Sequence, residues 1–474
     1  MLASGAPLAP WRGVGFGVLY RWRVVSLRQR FGPALYMGGG LALVGAAGFG
    51  FVSLAGHTLP AVEFAAITNF YLMVNIIGPG LFSALEQETS RSVSAGLAGG
   101  RALGPIVGHA WKLAAGLLAA VLVVLLAVSG PLTDAALAGT WGLVFAVLLS
   151  VATSAAVYLV RGVLGGTQRF NGYAATLGAE GLARILPCVV IALSGVPNAV
   201  GYALFFAAGS GVGALAGLLW LRRPSATSGP SATKPTGTAA ATTETTPDVP
   251  EALPGAGREM ARGFAFLVGG TVLMLVVMNV APIVITPRLG GDAATAAAFG
   301  SAFVLARIPL FLFAPVQAML LPALTRAATR GEYGEVRATL RKILVAVAAI
   351  GIPGVAASFL VGPWAVQVVF GADVRLSGTV VGLLGLSTIG LMVGQVLQPG
   401  LIALGRHRSV TGAWLLSAVV LVGLLALPGD PIRAGVTAQL AGAALVVVIM
   451  LVTLSRALGN RPAPTGTSAG VAAV

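Results

Sequence analysis

Charge is scarce in this sequence. Asp, Glu, Lys and Arg make up 9% of its 474 residues, where water-soluble domains carry roughly 25%. The chain therefore cannot clothe a water-facing surface of its size. Cysteine is scarcer still. The single Cys188 lies in an apolar run, which excludes an intramolecular disulfide and gives it the role of a small buried hydrophobe. The three histidines, His57, His109 and His407, are far apart and lack metal-ligand spacing, so no metal site is expected. There is no Ser/His/Asp set and no carboxylate pair at catalytic spacing. The glycine-rich turn Gly162–Gly166 follows no strand and lacks the Lys-Ser/Thr of a phosphate loop. Neither a cofactor nor an enzymatic reaction is expected.

What is present is apolar. Hydrophobic residues account for 57% of the chain, and 66 residues are glycine. The runs Pro33–Gly56, Leu113–Ser129 and Ala434–Leu454 hold no charged residue at all. At about 1.5 Å per residue, some 20 residues cross a hydrocarbon core of about 30 Å. Lipid offers no partner to an open amide, so the spans must be helices, and the alternating segments of a membrane barrel are missing. The breaks place spans at Pro33–Gly56, Phe64–Leu85, Ile106–Ser129, Thr140–Val160, Gly172–Ser194 and Asn198–Leu221. Six more follow at Gly263–Thr286, Ala293–Ala323, Ile343–Gly362, Leu376–Leu404, Ser409–Leu427 and Ala434–Leu454.

A net charge of +15 would suggest nucleic acid in a soluble protein. Its placement argues for a membrane instead. With the N-terminus inside, 24 of the 29 Lys and Arg fall on the inner side of the twelve spans. Only Arg288, Arg375 and Arg433 fall outside, and only Arg184 and Arg307 fall within spans. Residues 1–32 form a basic cytoplasmic arm: the apolar stretch Val14–Tyr20 is too short for a secretory signal, and arginines follow it. Residues 33–222 form a first lobe, and 223–262, rich in Ser, Thr, Pro, Gly and Ala, a disordered cytoplasmic linker. Residues 263–456 form a second lobe and 457–474 a cytoplasmic tail.

The lobes echo each other. Span one opens ALYMGGGLAL and span seven FAFLVGGTVLM; span two closes GPGLFSALEQETSR and span eight APVQAMLLPALTR. Six is an even number, so the repeats share an orientation and are related by an axis along the membrane normal. The expected fold is all-α, with about twelve transmembrane helices in two pseudo-symmetric six-helix lobes around a central cavity.

Three segments carry a family resemblance: the inside turn VRGVLGGTQRFNGYA, the end of span two GPGLFSALEQETSRSV, and ARIPLFLFAPVQAMLLPALTR in span eight. From about Phe31 to Leu458, linker aside, the chain resembles bacterial polysaccharide-biosynthesis flippases of the multidrug/oligosaccharidyl-lipid/polysaccharide (MOP) exporter superfamily. The resemblance implies a plasma-membrane transporter that moves polyprenyl-pyrophosphate-linked saccharide from inner to outer leaflet by alternating access. It further implies membrane lipids, a lipid-linked glycan, and envelope glycan polymerases or glycosyltransferases as partners, and no nucleic acid. The alternatives are an exporter of amphipathic small molecules and a non-transporting scaffold in envelope assembly.

Ionisable groups at the bilayer centre cost about 2.5–3.5 kcal/mol on insertion scales and need a polar cavity or a partner. Arg307 and Arg184 are placed near the midplane, where guanidinium suits an anionic headgroup. Pro309 frees backbone carbonyls beside Arg307. Glu180 lies one turn before Arg184, so self-neutralisation of that pair weighs equally with a substrate role. Gln317 and Gln395 are candidates for sugar hydroxyls or for helix-to-helix bonds. Glu86, Glu88 and Arg326 end spans two and eight on the inner side. They read as cytoplasmic gate contacts, or as snorkelling interfacial charges.

Overall fold

The structure, a computed structural model, describes residues 27–223 and 256–459. Side chains are described except at 27–35, at 256–267 and, between 311 and 323, at all positions but Phe313 and Leu320. The expected basic arm up to residue 26, most of the linker and the tail after 459 lie outside the described residues. Within them, all regular structure is helical, and twelve helices are long and apolar enough to cross a membrane.

The first half comprises α1 (Leu27–Thr58), α2 (Ala61–Ala98), α3 (Leu103–Ala127), α4 (Ser129–Ala136), α5 (Trp141–Gly166), α6 (Phe170–Leu193) and α7 (Ala199–Arg222). The second comprises α8 (Ala256–Arg288), α9 (Ala293–Ala306), α10 (Ile308–Thr329), α11 (Tyr333–Leu360), α12 (Gly362–Phe370), α13 (Gly378–Ala403), α14 (His407–Ala426) and α15 (Pro431–Gly459). Helix α1 packs on α6, α6 on α7, α7 on α5 and α5 on α2. The second half repeats this order: α8 on α14, α14 on α15, α15 on α13, and α13 on α10. The repeat read from the sequence is thus a repeat of packing, with the α9–α10 pair in the place of α2. Two short helices, α4 and α12, were not foreseen. They occupy equivalent places after the third helix of each half, and each rests against the first helix of the other half.

Four expected boundaries moved, each for a local reason. The eighth span is two helices, broken at Arg307 next to Pro309, whose ring and missing N–H interrupt the ladder. Helix α2 runs well past Leu85 to Ala98, and α11 starts at Tyr333, so that Arg337, Arg341 and Lys342 ride its opening turns instead of a loop. Gly162–Gly166 is not a turn but the end of α5. A Cβ on Gly162 would lie 2.7 Å from the Thr89 Cβ, and one on Gly166 2.6 Å from the Val93 Cβ, so these glycines let α5 press directly onto α2.

The face carrying the ends of α2, α5 and α10 also carries most of the described Lys and Arg; we call it the basic face. At the opposite face the halves close on each other. The Ser53 hydroxyl donates to the Val369 carbonyl. The Asn69 amide donates across to the Thr286 hydroxyl and, within its own half, to the Ala136 carbonyl, each at 3.0 Å. A side chain on Gly56 would collide with the Phe370 carbonyl. Gly371 turns away at φ +62°, and a Cβ there would lie 2.7 Å from the Gly56 carbonyl oxygen.

The first half also resolves its own buried charge. Glu180, 3% exposed, meets Arg161 through one carboxylate oxygen and Arg184 at 2.6 Å through the other. Arg161 donates to Thr176 at 2.9 Å. Ser210 accepts from Arg184 and donates to Glu180, both at 2.8 Å. The triad ties α5, α6 and α7 together. Breaking a buried ion pair on one side costs about 3–5 kcal/mol, because a charge is left unmatched.

Two outcomes are expected. Glu180→Gln lowers the apparent Tm in detergent markedly, whereas joint replacement of the triad by Arg161→Met, Glu180→Leu and Arg184→Met recovers most of the loss. Gly56→Val prevents closure of the opposite face. In a Cys188→Ala background, a cysteine at the buried Ala297 then gains severalfold in labelling by an impermeant maleimide from that side.

Candidate functional site

Helix α2 places a residue every fourth position, Tyr71, Asn75, Pro79, Ser83 and Gln87, along one strip. Residues four apart on a helix share a face, and sixteen positions span about 24 Å. The strip forms one wall of a cavity of about 560 Å³ between the two halves. Leu41 on α1, Leu275, Met278 and Asn279 on α8, Val304 on α9, Leu310 on α10 and Gln395 on α13 complete it, with Arg307 at the α9–α10 break. The cavity runs from mid-helix toward the basic face, away from the closed one.

Arg307 is held rather than free. Its guanidinium donates to the Thr388 hydroxyl at 2.9 Å and to the Met278 carbonyl at 2.7 Å, and it stacks 4.3 Å from the centroid of the Phe303 ring. The helix break supplies this position: the Arg307 N–H bonds three residues back to Val304, and Leu310 bonds back to Arg307, both at 3.0 Å. Arg307 is 5% exposed, and its Nε–H finds no partner among the described residues. Among the described residues no carboxylate meets it, in contrast to Arg161 and Arg184.

The remaining polar groups of the cavity are neutral. The Asn75 and Asn279 amides donate to the carbonyl one turn back, at 2.7 and 3.0 Å, which leaves their oxygens as acceptors. Gln395, 6% exposed, points its amide at the Met278 sulfur at 3.5 Å. Such a site can grip one anionic oxygen group, hold hydroxyls with amides, and lay an apolar chain along leucines.

The other expected site residues are distributed differently. Gln317 has a side chain outside the described residues. Arg184 and Glu180 do not line this cavity. Arg184 is committed to Glu180 and Ser210 and lies 4.4 Å over the Phe206 ring, which itself packs against Tyr71 with centroids 5.8 Å apart. It therefore sits one aromatic layer behind the wall. The Arg184 Nε is also without a partner, but its charge is matched. Glu86 turns into its own half, accepting from the Tyr173 hydroxyl at 2.6 Å. Glu88 pairs with Arg91 on the same helix at 2.6 Å. Neither glutamate meets Arg326 in this state.

Several contributors had no place in the sequence reading. Arg161 was taken as a surface charge at the end of a span; it is 5% exposed and pairs across to α6. Its partner is 19 positions away, beyond any helical spacing. Ser83, Gln87 and Asn279 were also missed as cavity residues. The fourth-residue spacing on α2 was the available signal.

No protein-family model matches the chain. An uncharacterised protein of Mycobacterium tuberculosis is 27% identical over 434 residues, covering 90% of this chain and 92% of that one. Among solved structures, the chain is similar to an inward-facing multidrug-resistance transporter of the MATE family in the MOP superfamily. That match has a TM-score of 0.65 at 14% identity and covers 91% of this chain and 99% of the other. It is also similar to the lipid II flippase MurJ in an inward closed conformation, with a TM-score of 0.57 at 11% identity, covering 90% of this chain and 89% of the other. The architecture described above, two six-span halves around a cleft, is the fold that the chain shares with these two solved structures.

Proposed function

We propose that this protein is a flippase that carries a saccharide, linked through phosphate to a polyprenyl chain, from the cytoplasmic to the outer leaflet of a bacterial plasma membrane. One observation carries the reading: Arg307, deeply buried and with no carboxylate partner among the described residues, faces a cavity lined besides by amides, the Tyr71 and Ser83 hydroxyls and apolar side chains. A cation left unmatched at that depth is costly unless an anion completes it. The parts of such a cargo map onto the site. Phosphate goes to Arg307, sugar hydroxyls to Asn75, Asn279, Gln395 and Gln87, and the lipid chain to the leucines. The Lys and Arg asymmetry orients the basic face, toward which the cavity runs, to the cytoplasm. An exporter of organic cations is less well supported, since no Asp or Glu lines the cavity.

Alternating access then requires the opposite face to part and the basic face to close. Glu88 is available for Arg326 on closure by giving up its same-helix partner, whereas Glu86 is held by Tyr173. Partners in envelope glycan synthesis belong to this proposal as suppliers and consumers of the cargo.

Two experiments test the proposal. In proteoliposomes, the parent protein transfers a polyprenyl-phosphate-linked saccharide between leaflets, and Arg307→Ala lowers transfer at least tenfold at unchanged thermal stability. Transfer untouched by the substitution would remove Arg307 from the site, and no transfer by the parent would favour a scaffold. For the gate, cysteines at Glu88 and Arg326 cross-link more readily once Gly56→Val biases the opposite face open. An unchanged yield would sink the pairing.

A further inference from the structure

The number of charges the cavity can match is legible residue by residue. Among the described residues that line it, Arg307 is the only Lys or Arg. Arg184 and Arg161, the nearest buried cations in the other half, are set against Glu180, with Glu86 beside them on Tyr173. Among the described residues that half places no Lys or Arg in the cavity lining. Arg307 itself has already committed one hydrogen of each terminal nitrogen, to Thr388 and to the Met278 carbonyl, leaving one N–H on each of them and the buried Nε–H. One guanidinium edge fits two oxygens of a single phosphate. A diphosphate would bring a second charge into the same low-dielectric space, where the described lining offers it only neutral amides and hydroxyls.

We infer that the cargo of this cavity is a singly charged phosphodiester lipid, a saccharide joined to its polyprenyl chain through one phosphate rather than through a diphosphate. The inference rests on the flippase reading and sharpens it, replacing the pyrophosphate headgroup that two midplane arginines would have suited. It also makes Gln395 the position that sets charge number. Gln395 lines the same cavity and reaches the same Met278 that Arg307 grips, so a cation there would be the missing second one.

The test compares binding to the full-length protein in zwitterionic nanodiscs. The probes are polyprenyl phosphate glucose, polyprenyl diphosphate glucose of equal chain length, and phosphatidylglycerol. The parent is expected to bind the monophosphate glycolipid at least tenfold more tightly than the diphosphate, with the preference lost in Arg307→Gln. Gln395→Arg is expected to raise diphosphate binding at least tenfold. Equal or tighter binding of the diphosphate by the parent, still dependent on Arg307, would overturn the charge assignment while leaving the lipid-saccharide reading in place. Phosphatidylglycerol binding as tightly as the monophosphate glycolipid would keep the single charge and remove the saccharide. Binding of none of the three would overturn both.

Discussion

Everything in this fold answers to one constraint: inside a bilayer no water completes a hydrogen bond or a charge, so the protein must supply each partner itself. Backbone groups are satisfied by making every span a helix. Hydroxyls such as Thr68 and Ser301 bond back to the carbonyl four residues earlier. Buried arginines need more than this, and the two halves answer differently. Arg161 and Arg184 converge on one carboxylate, whereas Arg307 has only a hydroxyl, a carbonyl and an aromatic face. The first arrangement pairs its charges. The second leaves the Arg307 charge without a carboxylate and its Nε–H without a partner among the described residues.

The same constraint shapes how the halves meet. Close approach at the opposite face depends on positions with no side chain, Gly56 against Phe370 and Gly371, and Gly300 against Thr68. Backbone contacts and a few hydrogen bonds fix the register of this seam, and buried apolar residues of both halves, Phe64 and Phe299 among them, fill it. Rigid packing lies within the halves instead, where Gly162 and Gly166 let α2 and α5 touch along their basic ends. The cleft wall contributed by the first half, the α2 strip from Tyr71 to Gln87, is therefore fixed to a body that moves as one.

Much of this was legible in the sequence, for reasons that are themselves physical. Runs free of charge must span, so the twelve spans and their repeat could be read directly. An arginine at the midplane is expensive, so Arg307 announced itself, and Pro309 beside it hinted at the break. What resisted reading was pairing across helices. Nothing along the chain says that Arg161, at the apparent edge of a span, points inward to a glutamate 19 residues on, and the Glu180–Arg184 spacing alone leaves self-neutralisation and a substrate role equally open. Gly162–Gly166 misled in the same way: glycines that serve close helix contact look locally like a turn.

The asymmetry between the pseudo-equivalent halves follows from these facts. Duplication would have given both halves similar buried polar positions, and symmetry alone would place matched or unmatched charge in both. The first half instead carries two arginines, a glutamate and Ser210 in a closed network behind Phe206 and Tyr71. The second half places its one buried arginine among the described residues at a broken helix, where the α9–α10 joint turns it to the cleft. A broken helix is the weaker element. An unbroken helix in that place, as α2 is in the first half, would keep the ladder but give up the capped position that holds Arg307 against Met278 and Thr388. The break thus sits where a buried arginine faces the cleft with no carboxylate partner among the described residues, and the half with the unbroken helix is the one whose buried charges are paired.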